Sequence, residues 1–437
     1  MDYFASKHTA MLKDLHELVE AGILTEETAQ QVSEYYDKKA STKGNRRLFV
    51  AFGILGAVLV GSGLILFIEH NWDLFSHLQK TIFAFIPLVL GQILCGTLLF
   101  RNRLESLWKE AASVFLFFSV GACIALISQI YHLKYSEEKI LLIWMLLSIP
   151  IVYIMRSPMS SLLYIAGITW YGGKYAFDYH EGFSRLYWLL IAMALPYYIN
   201  LLQRKSINNF TSLHNWFIPI SMSLCLTLLT QDYDEALILM YFGYFSLIFA
   251  IGNSSLFSAV NTGKNGFKII GFLGMLVILF ISSNFIAFDR GFYKSIHRFN
   301  FVKDDGFIFA LALIITSGIV TFLNHRWAGK SKLALWEYTG FIFLATYVLN
   351  EFTVVAVILY NIYIFAAGIT FIFLGSKRNH LGLMNLGLSI IAVLAIYKFF
   401  ESDLSYQLKG VLFMLVGAAF VTFNVIMLKR RRIYENQ

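Results

Sequence analysis

Fourteen apolar stretches follow one another between Leu48 and Leu428, separated by short polar loops. A bilayer core takes roughly 20 consecutive apolar residues per helix. Inside hydrocarbon every backbone N–H and C=O must be satisfied within the protein, which leaves helices and closed barrels. A barrel needs alternating in–out polarity over about ten residues, and runs such as Ile269–Phe280 do not alternate. The chain therefore reads as an all-α, polytopic integral membrane bundle of about 14 transmembrane helices, within a range of about 12–14. The spans are expected near 48–68, 81–100, 111–131, 139–155, 160–177, 183–202, 215–230, 235–251, 267–288, 306–323, 336–350, 353–374, 381–400 and 409–428. The pair 215–230 and 235–251 is short and expected to be less regular. Hydrophobic residues make up 58% of the 437 positions and charged ones 14%, where a soluble domain carries about a quarter.

Lys and Arg collect in cytoplasmic loops, and that bias sets orientation. With the N-terminus inside, 24 of the 35 Lys and Arg fall in cytoplasmic segments. These include Arg101, Arg103, Arg156, Arg204, Lys205, Lys264, Lys268, Arg326, Lys330, Lys332, Lys377, Arg378 and the tail from Lys429 to Arg432. Both termini are thus expected in the cytoplasm of a cytoplasmic (inner) membrane. Residues 289–305 run against the rule, with Arg290, Lys294, Arg298 and Lys303 outside. Phe292, Ile296 and Phe299 fit an amphipathic helix on the outer leaflet. A flexible loop or a miscounted span nearby fits as well.

The net charge of +8 records this bias and contact with anionic headgroups, so membrane lipids are the expected partners and nucleic acid is not. Cys95, Cys123 and Cys225 all sit in apolar stretches, which suits neither a disulfide framework nor a metal set. The first 45 residues are polar, so no cleavable signal is expected and the first span inserts the chain.

Three regions follow: a cytoplasmic two-helix module at 1–45, a transmembrane domain at 46–432 and a cytoplasmic tail at 433–437. In the module, Leu12, Leu15, Leu18 and Val19 form a stripe at helical spacing, and Gly22 is placed to stop that helix. Thr25 is placed to cap a second one, with Glu26 and Glu27 in its first turn. Two helices of this size bury little alone. The module is expected to pack on the membrane domain, a second copy or a protein partner. Gly53, Ala57 and Gly61 put small residues on one face of the first span, a seam for close helix approach.

The run from Gly56 to Asp73, ending Glu69-His70-Asn71-Trp72-Asp73, resembles the signature of a bacterial family of predicted membrane proteins catalogued as domain of unknown function 2157. Gly22-Ile23-Leu24 and Gln129-Ile130-Tyr131-His132 are similar to further segments of that family, a resemblance covering about 10–135. Asn385-Leu386-Gly387, Phe399-Phe400-Glu401-Ser402-Asp403 and Lys409-Gly410 look like its C-terminal segments, over about 375–432. Glu69 stands where the family more often has a small residue. The resemblance implies the architecture and no particular activity.

Polar clusters gather at the outer helix ends: Glu69 to Asp73, then Gln129, Tyr131 and His132, then Asp178, His180 and Glu181. Asp232, Asp234, Glu235, Asn350, Glu351, Glu401 and Asp403 continue the series. Such ends are polar wherever helices meet water, yet together they can also rim an outward-facing basin. Asn71, Trp72, Gln129 and Tyr131 are the candidate ligand contacts there. Gln92, five residues after Pro87 and beside Gly91, is the candidate inside the bilayer, because a proline frees a carbonyl near which a polar side chain can meet a substrate.

Three functions are compatible with this pattern. The first is transport or binding of a lipid or amphipathic small molecule through the outward-facing cavity. The second is a membrane-embedded enzyme acting on a lipid-linked substrate, with Glu69, His70, Asp73 and His132 as acid–base candidates. The third is a scaffold or sensor using residues 1–45. A non-enzymatic role is favoured, since no metal, nucleotide or nucleophile motif is present. No cofactor is expected. Classical ion coupling is disfavoured by the lack of an acidic residue at mid-span depth.

Overall fold

The computed structural model describes residues 18–19, 21–32, 75–100, 106–177, 186–203, 209–229, 237–258, 260–283, 305–328, 339–340, 342–343, 353–378 and 380–401, with scattered positions between 407 and 425. The chain divides into two units, 1–83 and 84–437. Most of the expected 1–45 module and most of the span at 336–350, together with the span at 48–68, the 289–304 loop and Glu69 to Asp73, lie outside the described residues.

In the first unit, the helix ending near Val19 is closed by Gly22 at φ +69. The Ile23 N–H returns to the Leu18 carbonyl at 3.0 Å and that of Gly22 to Val19 at 3.0 Å. This is the paired C-terminal closure that a left-handed residue permits. Thr25 Oγ1 then accepts from the Thr28 N–H at 3.4 Å, at the head of the helical residues 26–32.

Among the described residues the regular structure is helical: α1 (His77–Phe100), α2 (Ser106–Ile130), α3 (Glu137–Met155), α4 (Pro158–Phe177), α5 (Leu186–Leu202), α6 (Asn209–Leu224), α7 (Leu237–Gly252), α8 (Gly266–Ser282), α9 (Asp305–Ala328), α10 (Thr353–Lys377) and α11 (Leu381–Glu401). Short 3₁₀ turns fill Leu226–Leu229, Ser255–Phe257 and Thr262–Lys264. Among the described residues, six helices contain a segment long and apolar enough to cross a bilayer: α1, α2, α3, α9, α10 and α11. Three more, α5, α7 and α8, are apolar but shorter.

The helix starts have local causes. α1 begins at His77 rather than near 81 because Ser76 and Gln79 form a reciprocal cap: the Ser76 N–H donates to Gln79 Oε1 at 2.9 Å, and the Gln79 N–H to Ser76 Oγ at 3.4 Å. That box satisfies two donors otherwise orphaned at a helix start. α6 begins at Asn209, six residues before the expected span, and gives way after Leu224 to the 3₁₀ turn, so the irregularity expected near 215–230 is present. α4 starts after a tight connection in which Arg156 takes φ 47. There Glu110 of α2 reaches over to accept from the Ser157 hydroxyl at 2.5 Å and the Met159 N–H at 3.0 Å. A carboxylate at a helix N-terminus is stabilised by the unpaired N–H groups and the helix dipole.

The burial pattern is that of a bilayer protein. Large apolar side chains face outward, among them Phe373 at 65% exposed, Phe322 at 63% and Ile154 at 61%. Polar ones lie inside, including Ser157, Ser161, His214, Asn215 and Ser221. In lipid the outer surface gains nothing from polarity, while each interior polar group needs a partner. Tyr164 OH donates to the Leu190 carbonyl at 3.1 Å, Tyr241 OH to Ser223 at 3.0 Å and Trp144 Nε1 to Phe117 at 2.9 Å. Ser221 Oγ, on α6, joins Tyr187 OH at 2.7 Å and Thr169 Oγ1 at 2.5 Å.

Two packings organise the second half. α7 and α9 run parallel, shown by Ser246 Oγ and Ser317 Oγ at 2.8 Å and, further along, Asn324 Nδ2 donating to the Ala250 carbonyl at 2.8 Å. α10 and α11 form an antiparallel hairpin whose backbones meet at Gly368 and Gly387. A Cβ on Gly387 would lie 2.5 Å from the Gly368 oxygen, so only glycine permits that approach.

Candidate functional site

At the C-terminal end of α7 the chain turns back through 253–265 into α8. The last carbonyls of a helix have no donor within it. Here three asparagines supply donors: Asn253 Nδ2 to the Phe249 oxygen at 3.1 Å, Asn324 Nδ2 of α9 to Ala250 at 2.8 Å, and Asn265 Nδ2 to Gly252 at 2.8 Å. Asn265 also caps α8, its Oδ1 accepting from the Lys268 N–H at 3.1 Å. One buried amide therefore terminates α7 and starts α8.

A second polar layer backs this end. Asn215 Oδ1 accepts from Tyr198 OH at 2.7 Å, and its Nδ2 donates to the Lys264 carbonyl at 2.9 Å. His214 is fully buried, with Nδ1 2.8 Å from the Phe210 carbonyl and Nε2 3.0 Å from Ser161 Oγ. A carbonyl only accepts, so Nδ1 carries the proton and, in the neutral ring, Nε2 accepts from the serine. The His214, Tyr198 and Phe267 rings stack in series, with centroids 6.1 and 6.0 Å apart. These bonds tie α4, α5, α6 and the 262–265 turn together.

In front of the asparagine caps lies a cavity of about 400 Å³ between the ends of α7, α8 and α9. Its wall is mixed, with polar groups from Asn253, Ser254, Ser255, Ser258, Thr262, Asn265, Thr321 and Asn324; among the described residues Lys268 and His325 are its ionisable groups and none is a carboxylate. Ser254 Oγ is buried without a hydrogen-bond partner. Phe249, Phe257 and Val260 supply the apolar part. A cavity of this size and mixed polarity has the dimensions of a small-molecule site.

The sequence-predicted site residues that are described fall elsewhere. Gln129, Tyr131 and His132 lie at the C-terminal end of α2, all exposed. His132 adopts φ 49, the Leu133 N–H returns to the Ser128 carbonyl at 2.9 Å, and that of His132 to Gln129 at 3.2 Å. It closes α2 as Gly22 closes its own helix. Gln92 is exposed on α1, whereas neighbouring Gly91 is buried, a Cβ there meeting Leu116 at 3.1 Å. Glu69, His70, Asn71, Trp72 and Asp73 are outside the described residues. Among the described residues no three His, Cys, Asp or Glu side chains converge.

Sequence reasoning missed the cavity because its donors are Asn, Ser and Thr, some in the 253–265 turn and some, Thr321 and Asn324, near the end of α9, where they read as ordinary turn and helix-end residues. The one available signal was compositional. Residues 252–268 and 321–332 contain no Asp or Glu, but carry Lys264, Lys268, Arg326, Lys330 and Lys332.

The class these features define is a multi-pass helical membrane protein. Residues 16–161 match a family model described as "Predicted membrane protein (DUF2157)". That segment covers α1 to α3 and the start of α4, and the cavity lies beyond it. No curated protein and no solved structure matches the chain at a significant level.

Proposed function

We propose that this protein is a bundle of about 14 spans in a cytoplasmic membrane, with both termini cytoplasmic, that binds or transports a lipid or amphipathic small molecule. The observation that carries this reading is the cavity of mixed polarity at the ends of α7, α8 and α9, beside helices whose outer faces are apolar. A chamber with polar and apolar walls beside lipid-facing surface suits a ligand with one polar and one apolar end. Under the parity of the spans this cavity opens at the cytoplasmic side, opposite to the basin expected from the outer helix ends.

Native mass spectrometry of the full chain, released from mild detergent, tests the reading. A retained small molecule or lipid is expected, and filling the cavity with Thr321→Phe or Thr262→Trp should remove it without lowering the melting temperature. Equal retention in both well-folded variants overturns it. Maleimide labelling of Ser258→Cys from the cytoplasmic side alone is the expected topology.

A further inference from the structure

We infer that the cavity at the ends of α7, α8 and α9 selects an anionic, phosphate-type group, held by Lys268, His325 and the Ser254 hydroxyl. The inference rests on the reading of that cavity as a binding site and adds the ligand's chemistry.

Charge comes first. Among the described residues, Lys268 and His325 are the ionisable side chains on the wall, and none of them is an Asp or Glu. A cationic ligand would find no carboxylate among these described residues to neutralise it, and burying an uncompensated charge is costly. The sequence on either side, 252–268 and 321–332, is also free of acid. Basic cytoplasmic loops are expected from membrane insertion alone. Insertion does not call for the cationic side chains to be half-buried on the wall of a chamber, as Lys268 and His325 are.

Hydrogen-bonding capacity points the same way. The negative end of α7 is already met by the three asparagine amides, which donate to the Phe249, Ala250 and Gly252 carbonyls. Those carbonyls are thereby occupied and less available to coordinate a cation. Ser254 Oγ has no partner, and a hydroxyl can donate to a phosphate oxygen. Ammonium, imidazole and hydroxyl donors around one chamber suit a multi-oxygen anion, for which charge-assisted bonds are the strong ones. Phe249, Phe257 and Val260 leave room for a short apolar attachment.

The test uses full-length Ser258→Cys protein in detergent and the rate of maleimide labelling. Ser258 is exposed and lines the cavity, whereas Cys95, Cys123 and Cys225 are buried. The probes are inorganic phosphate, dihexanoyl phosphatidic acid and, as zwitterionic control, dihexanoyl phosphatidylcholine. The phosphatidic acid is expected to slow labelling saturably and the control is not. Protection by inorganic phosphate as well identifies a free anion as sufficient, and protection by the lipid alone identifies a headgroup. Lys268→Gln should raise the half-protecting concentration about 10- to 100-fold, as loss of a charged hydrogen bond does, while Lys268→Arg should stay within about threefold. Equal protection by the zwitterionic lipid, or an unchanged value in Lys268→Gln, overturns the anion assignment and leaves the cavity's binding role standing. Protection by none of the three also overturns it, and lipid retention by native mass spectrometry then decides separately whether the cavity binds anything.

Discussion

Asn324 of α9 donates its side-chain amide to the carbonyl of Ala250, 2.8 Å away in the last turn of α7. This bond joins two parallel helices far apart in sequence and closes one wall of the polar cavity. Interhelical hydrogen bonds in membranes are worth about 0.6 kcal/mol on average and up to about 1.7. Asn324→Leu should sit near the average figure, because the Ala250 oxygen still accepts from the Asn253 N–H at 3.2 Å. A fall in thermal midpoint together with faster labelling of Ser258→Cys is expected. A lower midpoint with unchanged labelling would show that α9 is not a fixed wall of the chamber.

The α10–α11 hairpin depends on two glycines meeting backbone to backbone. Gly387→Leu should destabilise it by about 1–3 kcal/mol, the usual cost of overpacking, with Gly387→Ala milder. Gly173, whose Cβ would meet nothing within 4 Å, is the control, and Gly173→Ala should be close to neutral. Urea titration in detergent, following tryptophan emission, ranks the three.

His132 separates a structural from a chemical role at the end of α2. A non-glycine residue at φ 49 carries a strain of about 1–2 kcal/mol, so His132→Gly should raise stability by roughly 1 kcal/mol. Any ligand retention or activity should survive the change. Loss of function in a stabilised His132→Gly protein would restore the acid–base role considered for this residue.

Glu110 holds the start of α4 through Ser157 and Met159. Glu110→Ala removes both bonds and the favourable charge at a helix N-terminus, costing about 1–3 kcal/mol. Glu110→Gln keeps an acceptor and should recover part of that. Hydrogen exchange at the Met159 and Ser160 amides reports it locally: faster in Ala, intermediate in Gln.

What could be read along the chain was whatever depends on near neighbours in sequence. Apolar runs marked the helices, Gly22 marked a stop, and Thr25 marked a start. The start of α1 was misplaced by a few residues because the Ser76–Gln79 box is a local signal that hydropathy does not weigh. Gln92 drew attention from its proline and glycine neighbours, but burial chose Gly91 for the α1–α2 seam and left Gln92 outward.

By itself, then, the sequence determined that the chain is helical and apolar enough to live in a bilayer, since hydrocarbon imposes that on every segment separately. Tertiary structure alone decided where its polar groups converge. Ala250, Asn265 and Asn324 are ordinary residues until parallel packing of α7 and α9, and the return of α8, bring them to one place. Hydropathy records the preference of each segment for lipid, whereas a cavity depends on which helix ends share a layer. Pairwise packing between distant segments sets that, and no local pattern encodes it.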